Sequence, residues 1–227
     1  TASNAKSTKL EYKFKANQTD KYAVNIKSKN SIIPYPLKGT PPSPTEIKTN
    51  VQIVQTITKL SRNGQANMQI SIKMISGTVP GGGKLPNIIR KITVGKYGDT
   101  ISSSESSSSG TPQKGTPGIS IGDTEGVLIA LPRKKISVGD SWTDILKMPG
   151  GTGNISIKSM YNGLVKGPNG KQAHQIVQKY SGALDMSKLV SATGGKSGPL
   201  SNTKLTVEGK STYILDKKDC RVLSATG

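Results

Sequence analysis

The chain has 227 residues, a length that suits one large β domain or two small ones. Its 32 Lys and Arg against 13 Asp and Glu give a formal net charge of +19, while hydrophobic residues make up 32% and aromatic residues 4%. The expected core is therefore thin and aliphatic, without a deep aromatic pocket. One Cys and one His exclude a disulfide framework and a zinc site built from His and Cys.

Alternation of apolar and polar residues with a period of two predicts β-strands in the first half. Leu10, Tyr12 and Phe14 share one face of the first predicted strand, and a second strand follows around residues 22–26. Residues 34–44 are rich in Pro and are predicted to form a linker. Further strands are predicted over 46–60, over 66–74 after the Asn63-Gly64 turn, and over 87–94 after a Gly-rich break.

The middle of the chain is predicted to be a mobile loop, because a Ser- and Gly-rich stretch over 98–118 has almost nothing to bury. This loop divides the chain into an N-terminal β half over 1–97 and a C-terminal β half over 119–227. The two halves can also join into one continuous domain.

The second half opens with an apolar stretch over 124–131 that fits either a strand or one or two helical turns. Its Asn169-Gly170 turn resembles Asn63-Gly64, which fits either a duplication or a convergent pair of hairpins.

The predicted fold class is mainly β, with curved antiparallel sheets of half-barrel or sandwich-like form and very little helix. The predicted strands of this half are 141–147, 154–165, 173–182, 203–215 and 221–225, with a turn at 216–219 and one helical turn at 185–190.

Three short motifs resemble a group of uncharacterised bacterial exported proteins and lipoproteins. They are the segment ISVGDSW over 136–142, the Asn169-Gly170 hairpin, and GKSTYILD over 209–216 with the closing segment 221–224. The resemblance covers roughly the last 90 residues and, more loosely, residues 10–14. It implies a curved antiparallel sheet similar to the half-barrel of the periplasmic lipoprotein carriers LolA and LolB, and it implies no catalytic residues. The Ser-rich loop, the high Lys content and the shortage of aromatics depart from that carrier pattern.

The residues give no catalytic site, no cofactor site and no metal site. Gly194-Gly195-Lys196-Ser197 lacks the earlier Gly of a phosphate-binding loop, because Val190 stands in its place. His174 is the single imidazole, and no Ser elbow of the G-x-S-x-G type accompanies it. Cys220 is predicted to be a small buried hydrophobe and Trp142 a core anchor whose N–H needs one partner. The Asp residues are predicted mainly to be turn residues, so we expect a protein that is not an enzyme.

The ends and the surface suggest an exported protein. The start at Thr1 reads like the stub left after removal of a signal peptide or lipoprotein leader, and a trimmed sequence would look the same. Asn17 and Asn154 begin two N-glycosylation sequons. Since no run of about 18 apolar residues occurs, no transmembrane segment is expected. The Lys residues are scattered and the aromatics are few, so specific nucleic-acid binding is not expected.

Two functions remain ahead of the others. The first is an extracytoplasmic structural or assembly protein that associates with copies of itself, and with anionic envelope polymers as further partners, through β-strand edges. In this hypothesis Leu10, Tyr12 and Phe14 fill pockets of a partner by strand donation, as in a filament subunit. The alternative is a half-barrel carrier or binding protein for a lipid or another apolar ligand. An enzyme acting on an envelope polymer and a polyanion binder rank below both.

Overall fold

The computed structural model describes residues 7–30, 45–77, 87–107, 127–148, 151–185 and 204–227. The prediction of a mainly β fold is confirmed, because the regular structure consists almost entirely of antiparallel strands. No helix within the described residues has the length and apolar character of a membrane span. The strands are β1 (Thr19–Asn30), β2 (Thr45–Leu60), β3 (Ala66–Gly77), β4 (Ile88–Val94), β5 (Thr100–Ser107), β6 (Ser141–Lys147), β7 (Gly153–Lys166), β8 (Gln172–Asp185), β9 (Lys204–Asp216) and β10 (Val222–Thr226).

The ten strands form two five-stranded sheets that are not closed into a barrel. The first sheet has the order β1-β2-β3-β4-β5, and the second has the order β10-β9-β8-β7-β6. Each strand pairs with its neighbour in the chain, so both sheets are simple meanders. The terminal strands are β1 and β5 in the first sheet and β6 and β10 in the second.

Side-chain alternation explains why these segments are strands. In β2, Val51, Ile53 and Ile57 are 2–3% exposed, while Gln52 and Thr58 between and beside them face solvent. Because successive side chains point to opposite faces of a strand, this pattern buries one face of the sheet and leaves the other polar. The strands predicted over 46–60, 87–94 and 141–147 agree with β2, β4 and β6 to within one residue.

Two equivalent hairpin turns set the register of the sheets. The Asn63 side chain accepts a hydrogen bond from the Gln65 N–H at 3.2 Å, and the Asn169 side chain accepts one from the Lys171 N–H at 3.1 Å. The glycine after each Asn has a φ of about +80°, which suits a tight hairpin. Both Asn-Gly turn predictions are therefore confirmed.

Three parts of the chain differ from the predictions. Residues 9–15 alternate in burial as expected but form no regular strand, and only Thr8 makes an isolated bridge, to Ile136. Residues 100–107, predicted within the loop, form β5, because main-chain pairing with β4 needs no apolar side chains. Residues 127–131 are neither strand nor helix. The Pro-rich linker over 34–44, the Gly-rich break at 80–83, the rest of the Ser-rich loop, the turn at 186–190 and the segment 194–197 lie outside the described residues.

Each sheet has its own hydrophobic cluster, and four side chains contact both. One cluster lies on the buried face of β2, β3 and β4, and the other includes Ile136, Tyr161, Ile176 and Leu215 with residues from both ends of the chain. The side chains that pack against both clusters are Phe14, Tyr22, Val127 and Leu128. They mark the place where the two sheets meet, which we call the junction.

Candidate functional site

An extended segment over residues 8–18, which we call the strap, runs along the junction. Its main chain bonds to both sides: the Tyr12 N–H donates to the carbonyl of Lys96 beside β4 at 2.8 Å, and the Lys13 N–H donates to the carbonyl of Asp219 beside β10 at 3.1 Å. Thr8 and Ile136 exchange two main-chain hydrogen bonds of 2.8 Å each. The strap therefore belongs to neither sheet and is held by both.

The three residues predicted as an assembly set lie inside their own chain. Leu10 is fully buried and Tyr12 is 4% exposed, and the Tyr12 and Phe14 rings stack with centroids 5.5 Å apart. The Tyr12 hydroxyl donates to the Ile129 carbonyl at 3.1 Å and accepts from the Ile129 N–H at 2.9 Å. Burial raises the pKa of Tyr12 far above its ordinary value, so the hydroxyl keeps its proton and both hydrogen bonds.

The segment over 127–137 forms the opposite wall of the junction. The Leu131 N–H donates to the Tyr97 carbonyl at 2.8 Å, which ties this wall to the turn between β4 and β5. Trp142 packs against the cluster of the second sheet, and its Nε1 donates to the Ala130 carbonyl at 3.0 Å. The prediction that Trp142 anchors the core through one N–H partner is thereby confirmed.

A polar cluster closes the junction on the side of β1 and β10. Arg221 Nη1 lies 3.1 Å from Asp20 Oδ1, and Gln18 Nε2 donates to Asp20 Oδ2 at 2.7 Å. Gln55 lies directly opposite Asp20 in the β1–β2 register and is only 3% exposed. The Tyr22 hydroxyl adds a hydrogen bond to the Val222 carbonyl at 3.3 Å. Two charged and two amide side chains therefore meet between the sheets.

Sequence reasoning missed this cluster, although one signal was available. Gln55 occupies the place in β2 where the alternation of Val51, Ile53 and Ile57 calls for an apolar residue. A polar side chain on an otherwise apolar face needs a partner, and so marks a contact that the strand itself does not supply. Asp20, the cross-strand neighbour of Gln55, binds Arg221, which lies 201 residues further along the chain, and no local pattern connects Asp20 with Arg221.

The surface of the first sheet also carries a wider polar groove of about 510 Å³. Seven of its ten lining residues, from β2 to β5, have a hydroxyl or amide side chain, and Lys91 is the one charged residue. Several of these groups bond within the protein: Thr93 Oγ1 donates to Asn67 Oδ1 at 3.1 Å, and Ser104 Oγ donates to the Lys91 carbonyl at 3.5 Å. Some of the polar groups that line the groove therefore already have hydrogen-bond partners within the sheet.

The imidazole of His174 and the thiol of Cys220 are both buried. His174 is 5% exposed, and its Nδ1 lies 2.9 Å from the Tyr161 hydroxyl. Cys220 is 4% exposed, and burial raises the pKa of its thiol to about 11, which disfavours the reactive thiolate. The interpretation of Cys220 as a buried hydrophobe is confirmed. The described residues contain no group of three or more His, Cys, Asp or Glu side chains positioned to hold a metal ion.

The buried imidazole predicts a pH dependence of stability. Burial lowers the pKa of His174 below 6.5, and the nearby Lys217 charge acts in the same direction, while Asp216 and a hydrogen bond to the Lys217 main chain oppose it. The unfolded chain then binds more protons than the folded chain, so this contribution is complete above pH 6.5 and is lost as the pH falls below it. We expect the wild type to lose at most about 1.4 kcal/mol per pH unit there from this group.

Chemical denaturation between pH 5 and pH 8 measures this loss. The control is His174→Asn, whose amide can still face the Tyr161 hydroxyl but does not titrate. The difference in free energy of unfolding between the two proteins should shrink as the pH falls below 6.5. Parallel pH profiles would contradict the prediction.

Three of the seven described Asp side chains bond to the main chain of turns, as predicted. Asp140 Oδ2 accepts the Ser137 N–H at 2.9 Å, Asp216 Oδ1 accepts the Lys218 N–H at 2.7 Å, and Asp219 Oδ1 accepts the Arg221 N–H at 3.1 Å. Asp20 differs, because it lies in β1 and bonds across the junction.

Both sequon residues have exposed side chains: Asn17 in a turn with a φ of 60°, and Asn154 in β7.

Of the four terminal strands in the described part of the chain, two face each other at the junction and two end the opposite edges of their sheets. β1 and β10 face one another there through the Asp20–Arg221 ion pair and the Tyr22 hydroxyl. Among the described residues, β5 pairs with β4 alone and β6 with β7 alone. Each carries an exposed isoleucine: Ile101 is 50% exposed on β5 and Ile145 is 64% exposed on β6. Within the described part of the chain, these two strands are the free edges of the two sheets.

Comparison of the chain with protein-family models, with curated proteins and with solved structures found no match. The function is therefore argued from the geometry of the junction and of the free edges.

Proposed function

We propose that the protein is an extracytoplasmic, non-catalytic assembly subunit that associates with further copies of itself through its strand edges. The observation that carries this proposal is the pair of free edges, β5 and β6, at the ends of two open sheets. An unpaired edge presents main-chain donors and acceptors to another strand. The buried state of His174 and Cys220 is consistent with a role outside catalysis.

The β6 edge is the better candidate for pairing. Its exposed face carries Ser141, Thr143 and Ile145, and a lysine occurs only at its last position, Lys147. Lysines and inward-pointing charges are the usual devices that protect an edge. β6 has one inward charge, Asp144, and burial raises the pKa of this carboxyl. Only Lys147 and Asp144 therefore protect the β6 edge against pairing with another strand.

The position of the two free edges suggests how copies would be arranged. β5 ends the first sheet and β6 ends the second, so pairing β5 of one copy with β6 of the next joins two different surfaces. Such a heterologous contact leaves a free edge at each end of the pair, and unless the rotation closes a ring it propagates into a filament. The net charge of +19 opposes close approach of copies, so salt should strengthen the association.

Exchange of the strap is a second route within the same proposal. In each copy Leu10, Tyr12 and Phe14 already fill the junction of their own chain, and the same contacts would form if a neighbouring copy supplied the segment. Deleting residues 1–16 does not test this route, since it also removes Leu10 and Tyr12 from the core. Edge substitutions separate assembly from folding more cleanly.

A lipid carrier ranks below assembly because neither the groove on the first sheet nor a small cavity at the junction suits an acyl chain. The cavity at the junction has a volume of about 20 Å³, and eight of the ten residues that line the groove of about 510 Å³ have polar side chains. Sites for apolar ligands are lined mostly by apolar side chains.

The test is the substitution Ile145→Lys, followed by sedimentation velocity over a concentration series. A lysine in the middle of the edge should weaken association at least about tenfold, equivalent to about 1.4 kcal/mol, because it places a charge where a partner strand would pack. Circular dichroism should stay unchanged, since Ile145 is 64% exposed in the isolated chain.

The matched control is Met160→Lys. Met160 is 39% exposed but lies in β7, where it pairs with Ser141 of β6 and with Val177 of β8, so its substitution should leave association unaltered. Ile101→Lys examines the β5 edge in the same way. A wild type that stays monomeric at all concentrations would refute self-association. Association that survives both edge substitutions would refute the edge route and favour exchange of the strap.

A further inference from the structure

The junction contains a cavity with room for one small molecule, and both apolar and polar side chains line it. Its volume of about 20 Å³ exceeds the minimum for a water molecule and is too small for an organic ligand. Both sides of the junction form its wall. Gln18, Asp20 and Gln55 come from the first side, and Asp219 and Arg221 come from the second.

Three buried polar atoms of this wall have no hydrogen-bond partner among the described residues: Gln18 Oε1, Gln55 Nε2 and Arg221 Nε. Gln55 is the most informative of them, because the residue is only 3% exposed and its amide cannot turn to bulk solvent. Buried donors and acceptors are almost always bonded, either to protein or to ordered water. Each of the three atoms therefore needs a partner, and their side chains line the same cavity.

The neighbouring contacts fix which atoms donate. Gln18 Nε2 donates to Asp20 Oδ2 at 2.7 Å, so the other amide atom, Oε1, is an acceptor. Arg221 uses Nη1 to bind Asp20 Oδ1 at 3.1 Å, which leaves its Nε–H as a donor. Gln55 is the cross-strand neighbour of Asp20, so all three side chains are grouped around one carboxylate.

This pattern of two donors and one acceptor selects the chemical class of the occupant. A simple anion could accept from Gln55 and Arg221 but could not donate to Gln18. A metal ion could accept no hydrogen bond and would face the Arg221 guanidinium. Water accepts two hydrogen bonds and donates two, and the carboxylates of Asp20 and Asp219 in the same wall are available for its second O–H.

We propose that this cavity is a binding site for one ordered water molecule, which accepts from Gln55 Nε2 and Arg221 Nε and donates to Gln18 Oε1. The water joins the first sheet to the β9–β10 turn of the second, in parallel with the direct Asp20–Arg221 ion pair. The site is independent of any assembly of copies, because all of its groups come from one chain.

The first experiment is NMR of the full chain, recording cross-peaks between water and side-chain N–H groups. The Gln55 amide and the Arg221 Nε–H should both show direct cross-peaks to a long-lived water. Gln178 is the internal control. It is also buried, at 7% exposed, but its Nε2 donates to Ser159 Oγ at 3.0 Å, so its amide should show no cross-peak to water. No cross-peak at Gln55, in spectra where the Gln178 amide is resolved, would overturn the proposal.

The second experiment uses substitutions and crystal structures. Gln55→Met removes one donor at similar size and should abolish the water cross-peak at Arg221, whereas Gln52→Met, on the exposed face of the same strand, should leave it intact. If Gln55→Met does not fold, Arg221→Lys removes the Nε donor while it keeps a positive charge. Electron density that joins Gln55 Nε2 directly to a protein acceptor, with no peak between the three atoms, would also refute the site.

Discussion

Replacing Leu10 by Ala should lower the free energy of unfolding by about 3 kcal/mol, because a fully buried side chain is removed where two sheets and the strap meet. Deleting buried methyl groups loses their transfer free energy and leaves a cavity that neighbours fill only in part. The surroundings of Leu10 are held by main-chain hydrogen bonds at Thr8 and Tyr12, so little collapse is expected. Urea unfolding followed by circular dichroism measures the change.

The control is Leu60→Ala, at the end of β2. Leu60 is 36% exposed, so its truncation should cost less than about 1 kcal/mol. Equal costs for the two substitutions would show that the strap is not part of the core in solution. That result would also free Leu10, Tyr12 and Phe14 for contact with another copy.

The substitution Gly98→Ala should destabilise the protein by about 3 kcal/mol, through a clash with the opposite wall of the junction. Gly98 has a φ of +80°, and a Cβ built there would lie 2.4 Å from the Ile129 carbonyl oxygen and 3.0 Å from the Tyr12 ring. The nearest atom is main chain, so the clash can be relieved only by moving the wall. Because Ile129 bonds to the Tyr12 hydroxyl, the strap should be disturbed with it.

Gly64→Ala separates this clash from backbone strain. Gly64 has nearly the same φ, +81°, but a Cβ there would meet only the Lys96 side chain at 4.0 Å. Its substitution should therefore cost about 1 kcal/mol, the strain of an alanine in this region. Urea unfolding of the two variants should differ by about 2 kcal/mol. If they are equally stable, the close approach at Gly98 is incorrect.

Period-two alternation was enough to predict most of the strands, because the core face of each sheet is aliphatic and its outer face is polar. Val51, Ile53 and Ile57 illustrate this in β2, and the Asn63-Gly64 turn then fixes the pairing of β2 with β3. Local turn chemistry and burial act over a few residues, and both can be read directly from a sequence.

The strap and β5 are two segments that local sequence patterns do not predict correctly. Leu10 and Tyr12 alternate in burial as a strand does, yet the main chains of Tyr12 and Lys13 bond to turns of two different sheets, and alternation reports burial alone. β5 is a strand although Ser102 and Ser104 give it no apolar face, since its pairing rests on the main chain. The cluster of Gln18, Gln55 and Arg221 depends on contacts between distant parts of the chain, which no local pattern encodes.

The meander order of the sheets also constrains the sequence of events during synthesis. Every strand pair joins chain neighbours, so the first sheet can form as soon as β5 has left the ribosome. The junction must wait, because Tyr12 bonds to a residue 117 positions later and Asp20 to one 201 positions later. Until the β9–β10 hairpin is made, part of the core that buries the hydrophobic side chains of the strap is missing. Nascent chains should therefore be most vulnerable to aggregation and proteolysis in that interval, which ends when β10 has been made.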